Sequence, residues 1–159
     1  GDWRDFGYVT INGAPVILEA VRTYGMFHPH FIKLNFETMI FALPRIVGAD
    51  GRTFLRPGVV GYSIFAMTPP IFYAFRRWSR EPWFIGAWAS ILSCVAMLLL
   101  YHNTGAEQIG YRYLMDFAVP LWILIGFGMK GSASRLFKLL MMLGTLVNAA
   151  SMVWWYFLR

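Results

Sequence analysis

Long apolar segments that carry almost no charge are the feature that most constrains how this chain can fold. A helix that crosses a bilayer needs about 20 mostly apolar residues, and residues 59–75, 83–101 and 136–158 meet this requirement. Charged side chains make up only 14% of the sequence, against roughly a quarter in soluble domains. The chain therefore has too little polar surface for a soluble globular fold, and its apolar surface must face lipid or other apolar helices.

A fourth apolar segment, residues 111–129, carries Arg112 and Asp116 near its start. Its remainder is apolar enough to cross a bilayer, so we count it as a span whose first turns are polar. The sequence thus predicts an all-α membrane protein with a bundle of about four transmembrane helices. Pro69, Pro70 and Pro120 interrupt two of these spans and predict kinks, either for packing or as hinges.

The region that precedes the spans is more polar. A turn signal at Asn12-Gly13 between two short Val- and Ile-rich runs predicts a small hairpin. The following residues 27–44 predict an interfacial helix that ends at Pro44, and 48–58 form a polar link. We therefore divide the chain into an extracytoplasmic segment, 1–58, and a transmembrane bundle, 59–159. Because the chain opens with Gly1 on a polar stretch, we expect a fragment of a larger polytopic protein.

The distribution of Lys and Arg predicts the orientation. The loops 76–82 and 130–138 are basic, whereas the loop 102–110 between them contains no Lys or Arg. Basic loops stay on the cytoplasmic side, so residues 1–58 and the loop 102–110 should be extracytoplasmic in a multi-pass protein of the inner (plasma) membrane. The net charge of +6 belongs to such loops, and nucleic acid is not expected as a partner.

One group of polar residues stands out, at the end of the loop 102–110 and in the first turns of the next span. Charged residues at membrane depth are costly and mark a functional site by default. Arg112 offers a planar fork of donors that fits a phosphate, and it could equally pair with Asp116 one helical turn on. The candidate substrate-binding residues are His102, Glu107, Gln108, Tyr111, Arg112, Tyr113 and Asp116.

Cofactor chemistry has little support in the sequence. Three histidines, His28, His30 and His102, could share one side of the membrane, but a metal site is not expected, and no cofactor is evident. The single cysteine, Cys94, excludes a disulfide within one chain.

The segment 101–125, YHNTGAEQIGYRYLMDFAVPLWILI, resembles the late luminal loop and following span of C-type polytopic bacterial glycosyltransferases. These are relatives of the dolichyl-phosphate-mannose protein mannosyltransferases. Their loop has the form G-x-x-Q-x-G-Y-R-[YF]-x-x-D-[FY]-x-P, and Pro120 lies one place later here. Upstream, residues 2–7 resemble an Asn-aromatic-x-Arg-Phe-Gly stretch, although they lack the asparagine and carry an extra acid. The matching residues are Gly105, Gln108, Gly110, Tyr111, Arg112, Tyr113, Asp116 and Phe117.

The resemblance implies an enzyme that moves a sugar from a polyprenyl-phosphate carrier to an acceptor at the outer membrane face. It also implies that the catalytic acids lie in a first outer loop upstream of this chain. The fragment would then be inactive alone, and its partners would be the bilayer, the polyprenyl-phosphate-linked sugar and the missing N-terminal transmembrane half.

Two other functions stay open at this point. Helices interrupted by proline are typical of transporters, so the chain could be a fragment of a transporter or flippase for a lipid-linked or anionic solute. It could also be a membrane anchor without chemistry, which would require Arg112 to be neutralised by a neighbour. The position of Arg112 separates the first two functions, because a transferase needs it near the outer interface and a transporter near the midplane.

Overall fold

The computed structural model describes residues 15–43, 45–49, 52–56, 61–104 and 109–158. This part of the chain is mostly helical, with one two-stranded hairpin. The α-helices are α1 (Pro15–Tyr24), α2 (Ile32–Phe41), α3 (Ile64–Met67), α4 (Pro82–Leu100), α5 (Ala118–Gly128) and α6 (Arg135–Val153). The strands are β1 (Arg45–Ala49) and β2 (Arg52–Arg56). Shorter helical turns are the 3-10 helices Pro29–Phe31, Pro69–Phe75 and Arg112–Phe117 and the π-helix Trp154–Leu158.

Among the described residues, two helices are long and apolar enough to cross a membrane. They are α4, with 19 residues, and the continuous helical stretch Arg135–Phe157, with 23. Both begin at favourable positions: Pro82 occupies the first turn of α4, and Ser134 caps α6 by accepting a hydrogen bond from the Phe137 amide. Only 11% of either apolar window is buried, which is unlike the core helix of a soluble protein. The helices expected at 83–101 and 136–158 are confirmed, with length and composition that suit a membrane.

The span expected over 59–75, with a kink at Pro69 and Pro70, is interrupted at these prolines, but the segment that follows them is not α-helical. The described part of this segment, 61–75, consists of the non-helical stretch 61–63, α3, a non-helical Thr68 and the 3-10 helix Pro69–Phe75. Pro69 and Pro70 have no amide hydrogen to donate, so an α-helix cannot continue through them. The proline pair therefore replaces the second half of the expected helix with a tighter one.

The segment 111–129 also divides in two. It forms the 3-10 helix Arg112–Phe117 and then α5, which joins it without a gap. Pro120 lies in the first turn of α5, where backbone amides have no helical partner to lose. The change of helix type thus comes immediately before the proline, and α5 is shorter than a standard spanning helix.

The prediction of an N-terminal hairpin is wrong for its second run, and its first run lies outside the described residues. Its second run is helical in α1, because Pro15 starts a helix readily and helix-forming residues follow it. Its first run lies in 1–14, outside the described residues. The helix expected before Pro44 is confirmed as α2, with Lys33 and Glu37 in ion-pair contact at 4.0 Å. Its position at a membrane surface stays a prediction.

An antiparallel hairpin occurs instead where a polar link was expected. Strands β1 and β2 pair in register from Arg45↔Arg56 to Ala49↔Arg52. The two residues between them are Asp50 and Gly51, the dipeptide typical of a two-residue hairpin loop. The described chain is therefore not purely α-helical.

The helices pack around the broken segment 64–75. Helix α5 approaches it closely at Gly128, where an added Cβ would lie 1.9 Å from the carbonyl oxygen of Tyr73. Helix α6 contacts the break itself at Gly144, where a Cβ would lie 2.9 Å from Pro69 Cδ. Asn148 Nδ2 donates to the Met67 carbonyl oxygen at 3.0 Å. A side chain of α6 thereby satisfies one carbonyl that the proline pair leaves without an amide donor, as expected for prolines among packed helices.

Candidate functional site

The candidate residues lie around the end of α4. Tyr101 ends the helix in an extended conformation, and the chain around it forms a short antiparallel bridge with Phe27. The His28 amide donates to the Leu100 carbonyl at 2.9 Å, and the His102 amide donates to the Met26 carbonyl at 2.9 Å. The segment before α2 thus holds the start of the loop 102–110 in place. We call this region the Leu100 end of the molecule.

Asn35 of α2 completes the cap on α4. Its Nδ2 donates to the carbonyls of both Leu99 and Tyr101, at 3.0 and 2.6 Å, and the residue is only 1% exposed. The last carbonyls of a helix have no partner within it, and here a side chain supplies one from a distant part of the sequence. Sequence reasoning missed Asn35, although an amide within the apolar run of α2 is a signal for such a role.

Tyr62 holds the other side of the loop. Its amide donates to the Ile109 carbonyl, and its carbonyl accepts from the Tyr111 amide, both at 3.1 Å. Its hydroxyl accepts a hydrogen bond from Ser151 of α6 at 3.0 Å. Tyr62 is fully buried. Its backbone and its side chain together hold the residues that precede the helix Arg112–Phe117 in place. The sequence alone gave no signal for this role.

Aromatic rings fill the space between these backbone contacts. The Tyr113 ring lies 6.0 Å from that of Tyr101 and 5.6 Å from that of Tyr111, both edge-on. The Tyr101 ring lies 4.4 Å from the His102 ring. Three of the predicted site residues, His102, Tyr111 and Tyr113, are therefore brought together at the Leu100 end.

His102 is buried within this cluster, at 7% exposure. Burial lowers the pKa of its imidazole, and the Met26 carbonyl raises it in part. The neutral form is therefore the one that the fold favours. A buried neutral imidazole suits a supporting role around the site better than the role of a charged ligand.

Acidification is expected to weaken this part of the fold. Since the folded pKa of His102 is lowered, its neutral form stabilises the fold fully above pH of about 6.5, the unperturbed value. That stability is lost as the pH falls below 6.5 toward the folded pKa. Hydrogen exchange of the His102 and His28 amides should therefore accelerate between about pH 7 and pH 5 beyond the intrinsic pH effect. His102→Gln should remove this dependence; the same dependence in that variant would contradict the assignment.

Asp116 lies on the side of the site that faces α4. Its backbone carbonyl is 3.9 Å from Cys94 Sγ, and the two residues line a cavity of about 300 Å³ with Ser93, Met97 and Leu98. The residue is exposed. Among the side chains that the structure describes, none forms an ion pair with Asp116.

The structure describes the remaining predicted site residues only in part. Arg112 begins the helix Arg112–Phe117, but its side chain lies outside the described part, so its pairing with Asp116 stays a prediction. Glu107 and Gln108 lie outside the described residues. Of the histidines weighed for a metal, His28 Nδ1 accepts from the His30 amide at 3.1 Å. Within the described ranges, no three His, Cys, Asp or Glu side chains group to hold a metal ion.

No family model, no curated protein and no solved structure matches this chain.

Proposed function

We propose that this chain is the C-terminal membrane portion of a glycosyltransferase that moves a sugar from a polyprenyl-phosphate carrier to an acceptor at the outer membrane face. The observation that carries the proposal is the position of the Tyr111–Tyr113 segment beside the end of a helix long enough to cross a membrane. The backbone of Arg112 begins the short helix there, and in this proposal that end of the molecule lies in the headgroup layer, where Arg112 meets lipid phosphates.

The lengths of the elements support four crossings. Helix α4 is about 28 Å long at 1.5 Å per residue, close to the roughly 30 Å of a bilayer core. The helix Arg112–Phe117 rises about 2.0 Å per residue, so together with α5 it also spans about 28 Å. The broken segment 64–75 reaches about 20 Å and needs its flanking residues to cross. Because a 3-10 helix rises further per residue than an α-helix, these segments are longer than α-helices of the same number of residues would be.

Contacts along α4 support a position of Arg112 near the interface. The Tyr113 ring meets Tyr101 at the end of α4, whereas the Asp116 carbonyl meets Cys94, about 9 Å deeper along the helix axis. The backbone of Arg112 precedes both, so it lies at the Leu100 end and not at the middle of the helices. This position suits a transferase, in which the carrier phosphate stays in the headgroup layer.

The chemistry follows from the charge at position 112. A guanidinium can donate two parallel hydrogen bonds to a phosphate. When the sugar leaves the carrier, negative charge accumulates on that phosphate, and a fixed cation stabilises it. Tyr111 is almost fully buried, at 3% exposure, and His102 is buried as well, so both support the site from behind. Partly exposed Tyr113 and exposed Asp116 are the described residues that a ligand reaches.

General acid and base groups would come from the transmembrane half that the resemblance places upstream. The experiment that tests the proposal is sugar transfer from polyprenyl-phosphate-linked hexose and pentose donors by membranes that contain the complete protein. We expect labelled sugar to leave at least one donor and to appear on an acceptor. Membranes without the protein serve as the control. If no donor is consumed by folded, inserted protein, the proposal is wrong.

A transporter or flippase is the second candidate, because one observation favours it. The break at Thr68–Pro70 opens to a groove of about 400 Å³ lined by residues of α5 and α6, among them Trp122, Thr145 and Asn148. Interrupted helices with polar side chains beside the break are typical of transport sites. The two candidates predict different outcomes with a fluorescent polyprenyl-phosphate-linked sugar in vesicles. A flippase moves this lipid across the bilayer and leaves the sugar attached, whereas the transferase removes the sugar from the carrier.

A further inference from the structure

Six cations gather at the end of the molecule opposite to the Leu100 end. They lie in the segments 75–84 and 129–138, which join the helices there, and all six side chains are exposed. These segments contain a single carboxylate, Glu81. We call this surface the basic end; its cations are Arg76, Arg77, Arg80, Lys130, Arg135 and Lys138.

The two segments of the basic end are fixed to one another through Tyr73. The Tyr73 hydroxyl is in hydrogen-bond contact with Ser134, the cap of α6, and its ring packs edge-on against Phe137 at 5.1 Å. The guanidinium of Arg76 lies 5.2 Å from the centre of the same ring. One buried tyrosine therefore joins Arg76 of the first segment to the start of α6, so the two segments form one surface.

The cations of the basic end lie at two helix ends of opposite polarity. At the end of α5, Arg77 lies over the Phe127 ring at 4.5 Å and donates to the Phe127 carbonyl at 3.4 Å. A cation is favourable there, because the carboxyl end of a helix is negative. At the start of α6, by contrast, the first turn carries Arg135 and Lys138 and no acid. Cations at an amino-terminal end oppose the helix dipole, so this arrangement is unfavourable without an external anion.

The protein supplies no such anion in the part that the structure describes. None of the six cations of the basic end has a carboxylate within ion-pair distance there. Beside them, large aromatic side chains are exposed: Trp78 at 75%, Phe75 at 62% and Trp83 at 45%. Exposed Trp next to cations at the end of apolar helices is typical of the headgroup layer of a membrane.

We propose that the basic end is a binding surface for anionic phospholipid headgroups, with their phosphates at the first turn of α6. A bilayer explains both parts of the surface, because the cations meet the phosphates and the aromatic rings enter the layer beneath them. Nucleic acid would explain the charge but would leave the rings next to the apolar flanks of α4 and α6 unexplained. The surface is separate from the Leu100 end, so it stands whether or not the chain is a transferase.

Lipid binding to the complete protein tests the surface. The protein, purified in neutral detergent, is titrated with mixed micelles that contain phosphatidylglycerol or phosphatidylcholine, and its intrinsic tryptophan fluorescence is followed. Arg135→Gln with Lys138→Gln should weaken binding of phosphatidylglycerol about 25-fold, because each cation near an anionic surface contributes about fivefold. Arg22→Gln with Lys33→Gln removes two exposed cations from the other end and is the matched control, expected to bind as the unchanged protein does.

Thermal unfolding gives a second, independent readout. Phosphatidylglycerol should raise the unfolding midpoint of the unchanged protein and of the control, but not that of Arg135→Gln with Lys138→Gln. In phosphatidylcholine alone, that variant should be as stable as the unchanged protein or more so, since a repulsion at the start of α6 is gone. An equal loss of lipid binding in the control would overturn the proposal. So would an equal rise with millimolar inorganic phosphate, or displacement of the lipid by an oligonucleotide at physiological salt.

Discussion

Arg112→Ala in the complete protein is expected to reduce sugar transfer by about 10²- to 10³-fold, while the amount of inserted protein stays the same. The loss is of the size seen when one donor to a developing negative charge is removed from an active site. The measurement is the initial rate of release of labelled sugar from its polyprenyl-phosphate carrier, in membranes adjusted to equal protein content.

Two further variants make this result specific. Arg112→Lys should restore only part of the rate, because an ammonium keeps the charge but loses the paired donors of the guanidinium. Arg22→Ala removes an exposed cation of α1, outside the proposed site, and should transfer sugar at the normal rate. Full activity of Arg112→Ala would show that Arg112 does not take part in transfer. Full activity of Arg112→Lys would show that the positive charge alone is sufficient.

Gly128→Ala is expected to lower the free energy of unfolding by about 3 kcal/mol, the upper part of the range for overpacked sites. A methyl group there would lie 1.9 Å from the Tyr73 carbonyl oxygen and 2.8 Å from its carbonyl carbon. The obstacle is backbone and cannot rotate away, so α5 must move from the broken segment 64–75. Unfolding by titration with a denaturing detergent measures the change.

Gly126→Ala is the matched control within the same helix. In the described part of the chain, no atom beyond its chain neighbours and its own helix backbone lies within 4 Å of the position of its added Cβ. Alanine favours a helix over glycine by about 1 kcal/mol in water. This variant should be neutral or slightly stabilising. Equal destabilisation by both substitutions would mean that helix propensity or lipid contact, and not the approach of α5 to Tyr73, controls this site.

The helices that follow from local pattern alone could be predicted from the sequence. Helices α4 and α6 are long and apolar, with Pro82 in the first turn of α4 and Ser134 as the cap of α6, so their existence needs no tertiary information. The proline pair Pro69-Pro70 correctly indicated an interruption. It could not indicate that the remainder would become a seven-residue 3-10 helix, because that form is stabilised by contacts with α5 and α6.

The candidate site was predictable in part for the same reason. The run from Tyr111 to Asp116 was recognisable because charges are rare in apolar segments. Its supports were not, since Asn35 reaches carbonyls 64 and 66 residues further along the chain, and such pairings leave no local pattern. The hairpin β1–β2 did leave one, in Asp50-Gly51, and was missed because the flanking arginines resemble a polar link.

The hydrogen bond between Asn148 and Met67 has a consequence for the order of synthesis. The two residues are 81 positions apart, so at roughly 5–20 residues per second the ribosome needs about 4–16 s to make the second after the first. During that interval the Met67 carbonyl at the proline break lacks the donor that α6 brings. Newly made chains thus pass through a stage in which water or another group must satisfy this carbonyl. The helix α6 then completes the hydrogen bonding of a break that was made well before it.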